Sequence, residues 1–235
     1  MKESIQSLWA ELRGKTEVES LRYLAEKFAG KIVFSTSFGL EDQIITHLIY
    51  SNKIPIQIFS LETGRLFKET LALWQETEIV YSQKIKTYFP DIQAVDELVA
   101  KKGMYSFYES VENRKECCHI RKVVPLQIAL KGQQCWITGI RSEQSSNRTD
   151  MQNTEWDSAN EIIKFHPIFD WSWEKCRKFV QENLIPYNLM HDKGFPSIGC
   201  EPCTKAIKEG EDFRAGRWWW EQASQKECGL HSHEK

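Results

Sequence analysis

The chain has 235 residues and a mass of 27.6 kDa, which fits one compact α/β domain that needs no disulfide or metal simply to fold. Its 31 Lys and Arg residues nearly balance its 33 Asp and Glu residues, so the net charge is −2. A field this weak argues against a general nucleic-acid binder and against binding to an acidic membrane surface. Any anionic ligand must therefore be held by a local group of cations.

Hydropathy and cysteine usage indicate the compartment. No stretch approaches the roughly 18 apolar residues of a membrane helix, and the N-terminus lacks the apolar core of a secretory signal. We therefore expect a cytoplasmic protein without a membrane partner. Seven cysteines, an odd number in a reducing compartment, indicate metal ligation or thiol chemistry before disulfides. Two of them, Cys135 and Cys176, lie in apolar sequence and are expected to be structural.

The first part of the chain alternates helix and strand signals. Thr16 and Glu19 form a capping-box pattern that begins a helix, and Gly30 ends it. Strands are predicted next over residues 32–34, 55–60 and 135–140, and helices over residues 44–49 and 65–80. Strands that alternate with helices imply an α/β fold with a parallel, doubly wound sheet.

The second part is less regular. Residues 141–157 are almost free of apolar side chains, which predicts a long polar loop. Ser172 is predicted to cap a helix that ends by Pro186. The polar segment 221–235 is expected to be a mobile tail, so the predicted organisation is one domain over residues 1–220 followed by that tail.

A turn of small residues, 35–42, lies between a predicted strand and a predicted helix. Such a turn presents free backbone N–H groups at the positive end of a helix, where an anion is favoured. The turn is not a Walker A sequence, because no Gly-Lys-Ser/Thr follows it. From this context alone, an anion-binding turn and an ordinary capped turn are equally good interpretations.

Four cysteines occur as two close pairs, Cys117 with Cys118 and Cys200 with Cys203. Four thiolates suit either a zinc ion or an iron–sulfur cluster. Adjacent cysteines are an unusual chelating pair because successive side chains diverge, and a multi-iron cluster tolerates this better than one small zinc ion. We therefore favour iron–sulfur over zinc.

Cations recur near the cysteine pairs and in the predicted loops. Lys122 lies shortly after the first pair, where it either offsets thiolate charge or belongs to a solvated helix face. Arg141, Arg214 and Arg217 lie in or beside loops, and their guanidinium groups match phosphate and sulfate oxygens bidentately. Three tryptophans follow Arg217, and packing is a better interpretation of them than stacking on a nucleic-acid base.

Cys228 lies in the polar tail, three residues before His231. An exposed thiol beside a glycine and near an imidazole has the freedom and the thiolate stabilisation that suit a nucleophile. The alternative is a surface cysteine without a chemical role.

Several motifs in a fixed order closely resemble the assimilatory adenylyl-sulfate reductases, within the phosphoadenylyl-sulfate reductase family. The resemblance runs from about residue 35 to residue 231, and it rests on residues 35–42, 61–67, 117–122, 138–141, 144–148, 199–204, 214–220 and 227–231. It implies an adenine nucleotide alpha-hydrolase-like fold. One departure is Glu62, where the family usually has Asp.

The resemblance also implies roles for individual residues. It assigns a 4Fe-4S cluster to Cys117, Cys118, Cys200 and Cys203, and the nucleophile to Cys228. Lys122 would link the cluster electrostatically to the sulfate of the substrate. The substrate-binding residues implied by the matching motifs are Ser35, Ser37 and Gly39 in the pyrophosphate loop, Leu61 at the adenosine, Arg141, Arg214 and Arg217 around the anion, and Gly139 and His231.

The chemistry implied by the resemblance is reduction of adenylyl sulfate to sulfite and AMP. The Cys228 thiolate attacks the sulfur, AMP leaves, and an enzyme S-sulfocysteine remains. Thioredoxin then attacks Cys228 and releases sulfite. The sequence leaves the oligomeric state open, and a homo-oligomer is compatible with it.

Three other functions are weighed against this one. A reductase for the 3′-phosphorylated substrate shares the nucleophile but typically lacks the two cysteine pairs. An ATP pyrophosphatase usually has the loop Ser-Gly-Gly-x-Asp-Ser, which differs from residues 35–40 here. A non-catalytic iron–sulfur nucleotide sensor would need the cysteine pairs but not Cys228.

Overall fold

The computed structural model describes residues 2–144 and 152–222. The predicted nucleophile Cys228 and His231 lie outside the described residues, as does the middle of the predicted polar loop. Helices in the described part are α1 Lys2–Leu12, α2 Glu17–Lys27, α3 Leu40–Ser51, α4 Lys68–Tyr81, α5 Ile92–Lys102, α6 Val111–Cys118, α7 Val124–Leu130 and α8 Trp173–Glu182. Strands are β1 Ile32–Thr36, β2 Gln57–Leu61, β3 Lys86–Tyr88, β4 Cys135–Ile137, β5 Thr154–Asp157 and β6 Ile162–Phe165.

The strands form one six-stranded sheet in the order β3-β2-β1-β4-β6-β5. Strand β1 pairs in parallel with β2 and with β4, and β4 pairs in parallel with β6. Because parallel neighbours cannot be joined by a tight hairpin, crossover connections must link these strands. The predicted α/β class with a largely parallel sheet is confirmed.

The prediction of an unbroken polar loop over residues 141–157 is wrong at its end. Residues Thr154–Asp157 form β5, which pairs antiparallel with β6. The burial of β5 does not alternate, since its first and last residues, Thr154 and Asp157, are the buried ones, and neither is aliphatic. The period-2 apolar signal of a half-buried strand is therefore absent from its sequence. Antiparallel pairing is common for an edge strand added to a parallel sheet.

Both predicted caps are confirmed. The Thr16 hydroxyl accepts the Glu19 N–H while the Glu19 carboxylate accepts the Thr16 N–H, which completes the capping box of α2. The Ser172 hydroxyl accepts the Lys175 N–H at the start of α8. Each cap satisfies backbone donors that a helix start otherwise leaves without partners.

Two predicted elements are shorter in the structure. The helix predicted from residue 65 begins at Lys68, since Gly64 adopts φ 70° and the chain is turning there. The strand predicted to reach residue 140 ends at Ile137. Gly139 and Ile140 therefore belong to the segment that leaves the end of the sheet.

The chain forms two compact units that are interleaved in sequence. The first unit contains residues 1–60, 69–86 and 132–188, and the second contains residues 61–68, 87–131 and 189–235. The main apolar core lies in the first unit, where α1, α2, α3 and α8 pack with strands β1, β2, β4 and β6. Cys135 and Cys176 are both fully buried in that core, as the sequence predicts.

The second unit is held by contacts between segments far apart in sequence. A smaller apolar cluster contains Leu98, Phe107 and Cys117, with Trp220 packed against it. Backbone hydrogen bonds join Glu201 N–H to the Arg65 carbonyl and Trp218 N–H to the Cys203 carbonyl, at 2.8 and 3.1 Å.

Candidate functional site

The first candidate site is the turn between β1 and α3. Gly39 is the N-cap residue of α3 and makes no side-chain cap, so the helix start presents backbone N–H groups. Phe38 adopts φ 60°, a left-handed conformation that costs a non-glycine residue about 1–2 kcal/mol. Its buried ring stacks on Trp74 with a centroid separation of 4.9 Å, and this packing offsets the strain.

Asp42 closes this turn from the first turn of α3. One of its carboxylate oxygens accepts both the backbone N–H and the hydroxyl of Ser37, at 2.6 and 2.7 Å. Burial raises the pKa of Asp42 to about 6, against the lowering effect of the Ser37 hydrogen bonds. The turn therefore contains a carboxyl group that changes its charge close to neutral pH.

Gly139, one of the predicted substrate-binding residues, lies directly against Asp42. A Cβ atom at this position would collide with the second carboxylate oxygen of Asp42 and would also crowd Glu41. Glycine is therefore favoured at position 139 for steric reasons, whether or not a ligand binds there.

Arg141, predicted to bind the anion, is fully buried in the first unit. Its Nε donates to Glu41 at 2.8 Å, and one terminal nitrogen donates to Glu143 at 3.2 Å. The guanidinium is thus held by two carboxylates and by the Trp171 carbonyl, which accepts from the same terminal nitrogen at 3.0 Å.

The second candidate site is a cavity in the second unit. It encloses about 280 Å³, including the part open to solvent, and is lined by Arg65, Phe107, Arg114, Cys117, Cys118, Arg121, Lys122, Cys200 and Cys203. All four predicted metal-ligating cysteines therefore line one cavity. Four cations line it with them, and none of the lining residues within 2–144 and 152–222 is a carboxylate.

Local helix geometry explains why adjacent cysteines share this cavity. Helix α6 ends at Cys118 and continues as a π-helical turn, His119–Val123, before α7 begins. A π turn has more residues per turn than an α-helix, so neighbouring positions four and five residues apart fall on one face. Cys117, Cys118, Arg121 and Lys122 have this spacing. Such turns occur frequently at functional sites.

The other cysteine pair comes from a segment that makes two isolated bridges and one glycine-dependent contact. Leu66 forms an isolated antiparallel bridge with Cys200, and Thr204 forms one with Arg217. A Cβ atom on Gly199 would overlap the Arg217 guanidinium, so only glycine permits this approach. The close approach brings the positive charge of Arg217 to the segment that carries Cys200.

The four thiols have different electrostatic surroundings. Burial alone would raise the pKa of Cys200, but the charge of Lys122 and a hydrogen bond with the Thr63 hydroxyl at 3.4 Å bring it below its usual value. Burial raises the pKa of Cys117, and burial together with the Cys200 charge raises that of Cys203 to about 12. Among Cys117, Cys200 and Cys203, Cys200 is therefore the thiol most disposed to ionise.

Arg114 connects the cavity to the last described residues. It is fully buried, and it donates to both carboxylate oxygens of Glu221 at 2.9 and 2.7 Å. Its guanidinium also lies 4.7 Å from the ring centroid of Trp218. This bidentate, buried ion pair gives the sequence around residue 221 a fixed partner on α6.

Of the three consecutive tryptophans, Trp218 and Trp220 pack inside the second unit and Trp219 is exposed. Trp218 is 1% exposed, and the guanidinium groups of Arg214 and Arg217 lie 5.9 and 4.8 Å from its ring centroid. Trp220 packs in the small apolar cluster, while Trp219 is 36% exposed. Two of the predicted anion-binding arginines are therefore grouped around a buried indole.

Sequence reasoning missed several of these residues. Asp42, Glu41 and Thr63 lie inside motifs that the resemblance uses, but nothing in one sequence assigns a contact to them. Arg114 and Glu221 are 107 residues apart in sequence, and only the folded chain brings them together. Glu62, the departure from the family pattern, accepts the Gly64 N–H at 2.7 Å.

The described residues contain neither a convergent group of metal ligands nor a helix that could span a membrane. Among residues 2–144 and 152–222, no group of three or more His, Cys, Asp or Glu side chains has the convergence needed for a single metal ion. Within that same part of the chain, no helix has both the length and the apolar content to cross a membrane.

Comparison with known proteins gives consistent matches. A curated protein from Agrobacterium fabrum, named adenosine 5'-phosphosulfate reductase, is 48% identical over 225 residues that cover 96% of this chain and 86% of that protein. A solved phosphoadenylyl-sulfate (PAPS) reductase from Candida auris, in a phosphate complex, is 27% identical, with a TM-score of 0.75 and coverage of 88% of this chain and 98% of that chain.

A more distant structure shares the fold alone. FMN adenylyltransferase from Candida glabrata aligns with a TM-score of 0.56 at 15% identity, covering 87% of this chain and 68% of that chain. The model of the phosphoadenosine phosphosulfate reductase domain matches residues 31–206, which include β1, the turn after it and all four cavity cysteines. The chain therefore belongs to the phosphoadenosine phosphosulfate reductase domain family.

Proposed function

We propose that this protein reduces adenylyl sulfate to sulfite and AMP in sulfate assimilation, with thioredoxin as the electron donor. The observation that carries the proposal is the cavity in which four cysteines and Lys122 meet. Relatives about 48% identical over nearly the whole chain and named adenosine 5'-phosphosulfate reductase support the choice of substrate.

The reaction is a group transfer between sulfur atoms and needs a thiolate nucleophile. In the proposal, the Cys228 thiolate attacks the sulfur of adenylyl sulfate, and the sulfur–oxygen bond to the phosphate breaks with its electron pair going to AMP. A thioredoxin thiolate then attacks the Cys228 sulfur, and sulfite leaves with the electron pair of the sulfur–sulfur bond. The second thioredoxin thiol resolves the mixed disulfide and leaves thioredoxin oxidised.

Charge that develops on the leaving phosphate has to be stabilised. The donors assigned to this task are the Ser35 hydroxyl, the N–H groups at the start of α3 near Gly39, and the guanidinium groups of Arg214 and Arg217. Ser37 contributes less, because Asp42 already accepts its hydroxyl and its N–H. Lys122 supplies positive charge for the sulfate, while Leu61 and His231 are assigned to the nucleotide.

The residues lining the cavity fit a 4Fe-4S cluster. Four thiolates would carry four negative charges, and Arg65, Arg121 and Lys122 line the same cavity, as does Arg114, whose charge is shared with Glu221. Buried thiolates require such compensation. Adjacent cysteines suit a single small zinc ion poorly because successive side chains diverge, whereas a multi-iron cluster tolerates them better. When bound, the cluster supplies an electrostatic environment for the substrate, and the proposed reaction passes no electron through it.

The domain organisation is part of the proposal. Residues 1–220 act as one reductase domain that holds the nucleotide and the thiol cavity. Residues 221–235 form a tail that presents Cys228 first to the substrate and then to thioredoxin.

The test is sulfite release by protein purified without oxygen, with thioredoxin and either adenylyl sulfate or its 3′-phosphorylated form. Strong preference for adenylyl sulfate is expected. The Cys228→Ser variant should release no sulfite while keeping the iron content and visible absorbance of the wild type. Cys176→Ala, which changes a buried cysteine of the first unit, is the matched control and should retain activity.

The alternatives predict different results. Preference for the 3′-phosphorylated nucleotide would keep the Cys228 chemistry and replace the proposed substrate. Unchanged turnover by Cys228→Ser would remove the nucleophile assignment. No sulfite from either nucleotide, together with tight nucleotide binding, would favour a non-catalytic sensor.

A further inference from the structure

A row of large and charged side chains crosses the sheet of the first unit. In the strand register, Val33 of β1 lies opposite Trp136 of β4, Trp136 lies opposite Lys164 of β6, and Lys164 lies opposite Glu155 of β5. Residues in register share one face of a sheet, and Ser35 shares that face two positions after Val33. The row therefore ends beside the first residue of the anion-binding turn.

A hydrogen bond joins this row to the turn. The Trp136 indole Nε1–H donates to the Ser35 Oγ at 2.8 Å. An indole N–H can only donate, so the Ser35 oxygen must be the acceptor and its own O–H proton points elsewhere. Among residues 2–144 and 152–222, that hydroxyl has no second side-chain or backbone partner.

The hydroxyl of Ser37, by contrast, acts as a hydrogen-bond donor within the turn. The Ser37 hydroxyl donates its proton to Asp42 at 2.7 Å, so that proton is already used within the turn. Of the two serines predicted to bind the substrate, only Ser35 keeps an O–H that can donate to an anion. What distinguishes them is the partner that each side chain meets, an indole donor or a carboxylate acceptor.

The Trp136 ring is itself held firmly. It is 1% exposed, and the Lys164 ammonium lies 5.0 Å from its ring centroid. Lys164 is buried as well and is paired with Asp157 at 2.8 Å. Asp157 in turn accepts N–H groups of Ala159 and Asn160, which fixes the corner between β5 and β6. A cation over the ring draws electron density from the indole and makes its N–H a better donor.

We propose that Trp136 is a positioning residue for the substrate anion: its indole N–H orients the Ser35 hydroxyl so that the O–H proton is aimed at a phosphate or sulfate oxygen. The inference rests on the proposed function for the identity of that anion. In this inference, the contacts that run from Trp136 to Lys164 and on to Asp157 hold the donor in place before the ligand arrives. A donor oriented in advance loses less entropy on binding than one that rotates freely.

A packing role alone would make a different prediction. If Trp136 only fills space, its replacement should weaken binding through disorder of the sheet, and that loss should add to the loss from removing the Ser35 hydroxyl. If Trp136 acts through Ser35, its replacement should have no further effect once that hydroxyl is gone.

The experiment is a double-mutant cycle with Trp136→Phe, Ser35→Ala and the double variant. Dissociation constants for adenylyl sulfate and for AMP are measured on the cluster-loaded protein in the Cys228→Ser background without thioredoxin. Each single change is expected to weaken adenylyl sulfate binding about 5-fold, the scale of one hydrogen bond. The double variant should match Ser35→Ala. A parallel loss for AMP places the hydroxyl on the phosphate, and unchanged AMP binding places it on the sulfate.

Two controls keep the test decisive. Trp171→Phe removes a different indole N–H, which donates to Glu17 at 2.7 Å, and keeps the Trp171 backbone carbonyl that contacts Arg141, so it should leave both dissociation constants unchanged. If Trp136→Phe does not fold, benzothienylalanine at position 136 keeps both fused rings and replaces only the N–H by sulfur.

Additive losses in the double variant, or unchanged binding in both single variants, would overturn the inference. Because binding needs no turnover, absence of sulfite release by the wild type would count against the proposed function only.

Discussion

The anion-binding turn and the thiol cavity are built in opposite ways. The turn comes from one stretch of chain, with Asp42 closing a loop on Ser37 only five residues away. The cavity collects residues from three separate stretches, around Arg65, around Cys118 and around Cys200. Local sequence can therefore specify the turn almost alone, whereas the cavity exists only when distant segments are paired.

The two sites also differ in charge. The turn contains the buried acids Glu41 and Asp42, so any attraction for an anion has to come from backbone N–H groups and hydroxyls. In the described part of the chain, the cavity is lined by four cations and four thiols, without a carboxylate. In the proposed function, the first site binds a substrate that is released again and the second holds a permanent anionic group. Four changes would break or sharpen this contrast, and they follow in order of decreasing effect.

Removing a cavity thiol should have the largest effect. Cys200→Ser is expected to abolish cluster binding, because it removes the thiol that Lys122 and Thr63 favour as a thiolate. Iron content and visible absorbance of protein purified without oxygen measure the loss. Cys135→Ala, at an equally buried cysteine of the first unit, should keep both. Iron retained at wild-type levels by Cys200→Ser would contradict the assignment of this ligand.

Breaking the buried ion pair of the second unit should destabilise the protein strongly. Glu221→Gln leaves the buried Arg114 guanidinium without its carboxylate, and such changes cost about 3–5 kcal/mol. Urea unfolding followed by tryptophan fluorescence measures the change in free energy of unfolding. Glu97→Gln removes an exposed pair with Lys101 in the same unit and should cost about 0–1 kcal/mol. Equal effects in the two variants would show that burial of the pair is unimportant.

Asp42 should make stability depend on pH. Its pKa is raised to about 6 from 3.8, so the folded state holds this proton more tightly than the unfolded chain. The resulting stability is fully present below pH 3.8 and is lost as the pH rises through about 6, with a total on the order of 2–3 kcal/mol.

The measurement compares wild type with Asp42→Asn by urea unfolding at several pH values from 4 to 7.5. The difference in free energy of unfolding between the two proteins should shift in favour of the variant as the pH rises. A difference that does not change with pH would show that Asp42 titrates normally in the folded protein.

The smallest effect is expected at the capping box. Thr16→Ala removes a hydroxyl that caps α2 and should cost about 1 kcal/mol of unfolding free energy. Thr16→Ser keeps the hydroxyl and should recover most of that loss in thermal unfolding. A loss with serine as large as with alanine would mean that the threonine methyl group, rather than the cap, matters.

The sequence predicted features whose causes lie within a few residues. The Thr16 and Ser172 caps, the strand at Ile32 and the small-residue turn all follow from local patterns, and all are present. Strand β5 escaped prediction because its buried positions carry threonine and aspartate, which look like loop residues. Asp157 is tolerated there only because Lys164 of the neighbouring strand neutralises it.

For the sites, the sequence alone gave the residue types, the order of the motifs and the two cysteine pairs. Only the tertiary structure decided which partners these residues meet: an indole donor for Ser35, a carboxylate for Ser37, and Glu221 for Arg114. The physical reason is the separation in sequence between the groups that make each contact. Helix caps and turns are set by hydrogen bonds between near neighbours, whereas the state of a buried hydroxyl, thiol or guanidinium depends on groups that chain folding brings from a hundred residues away.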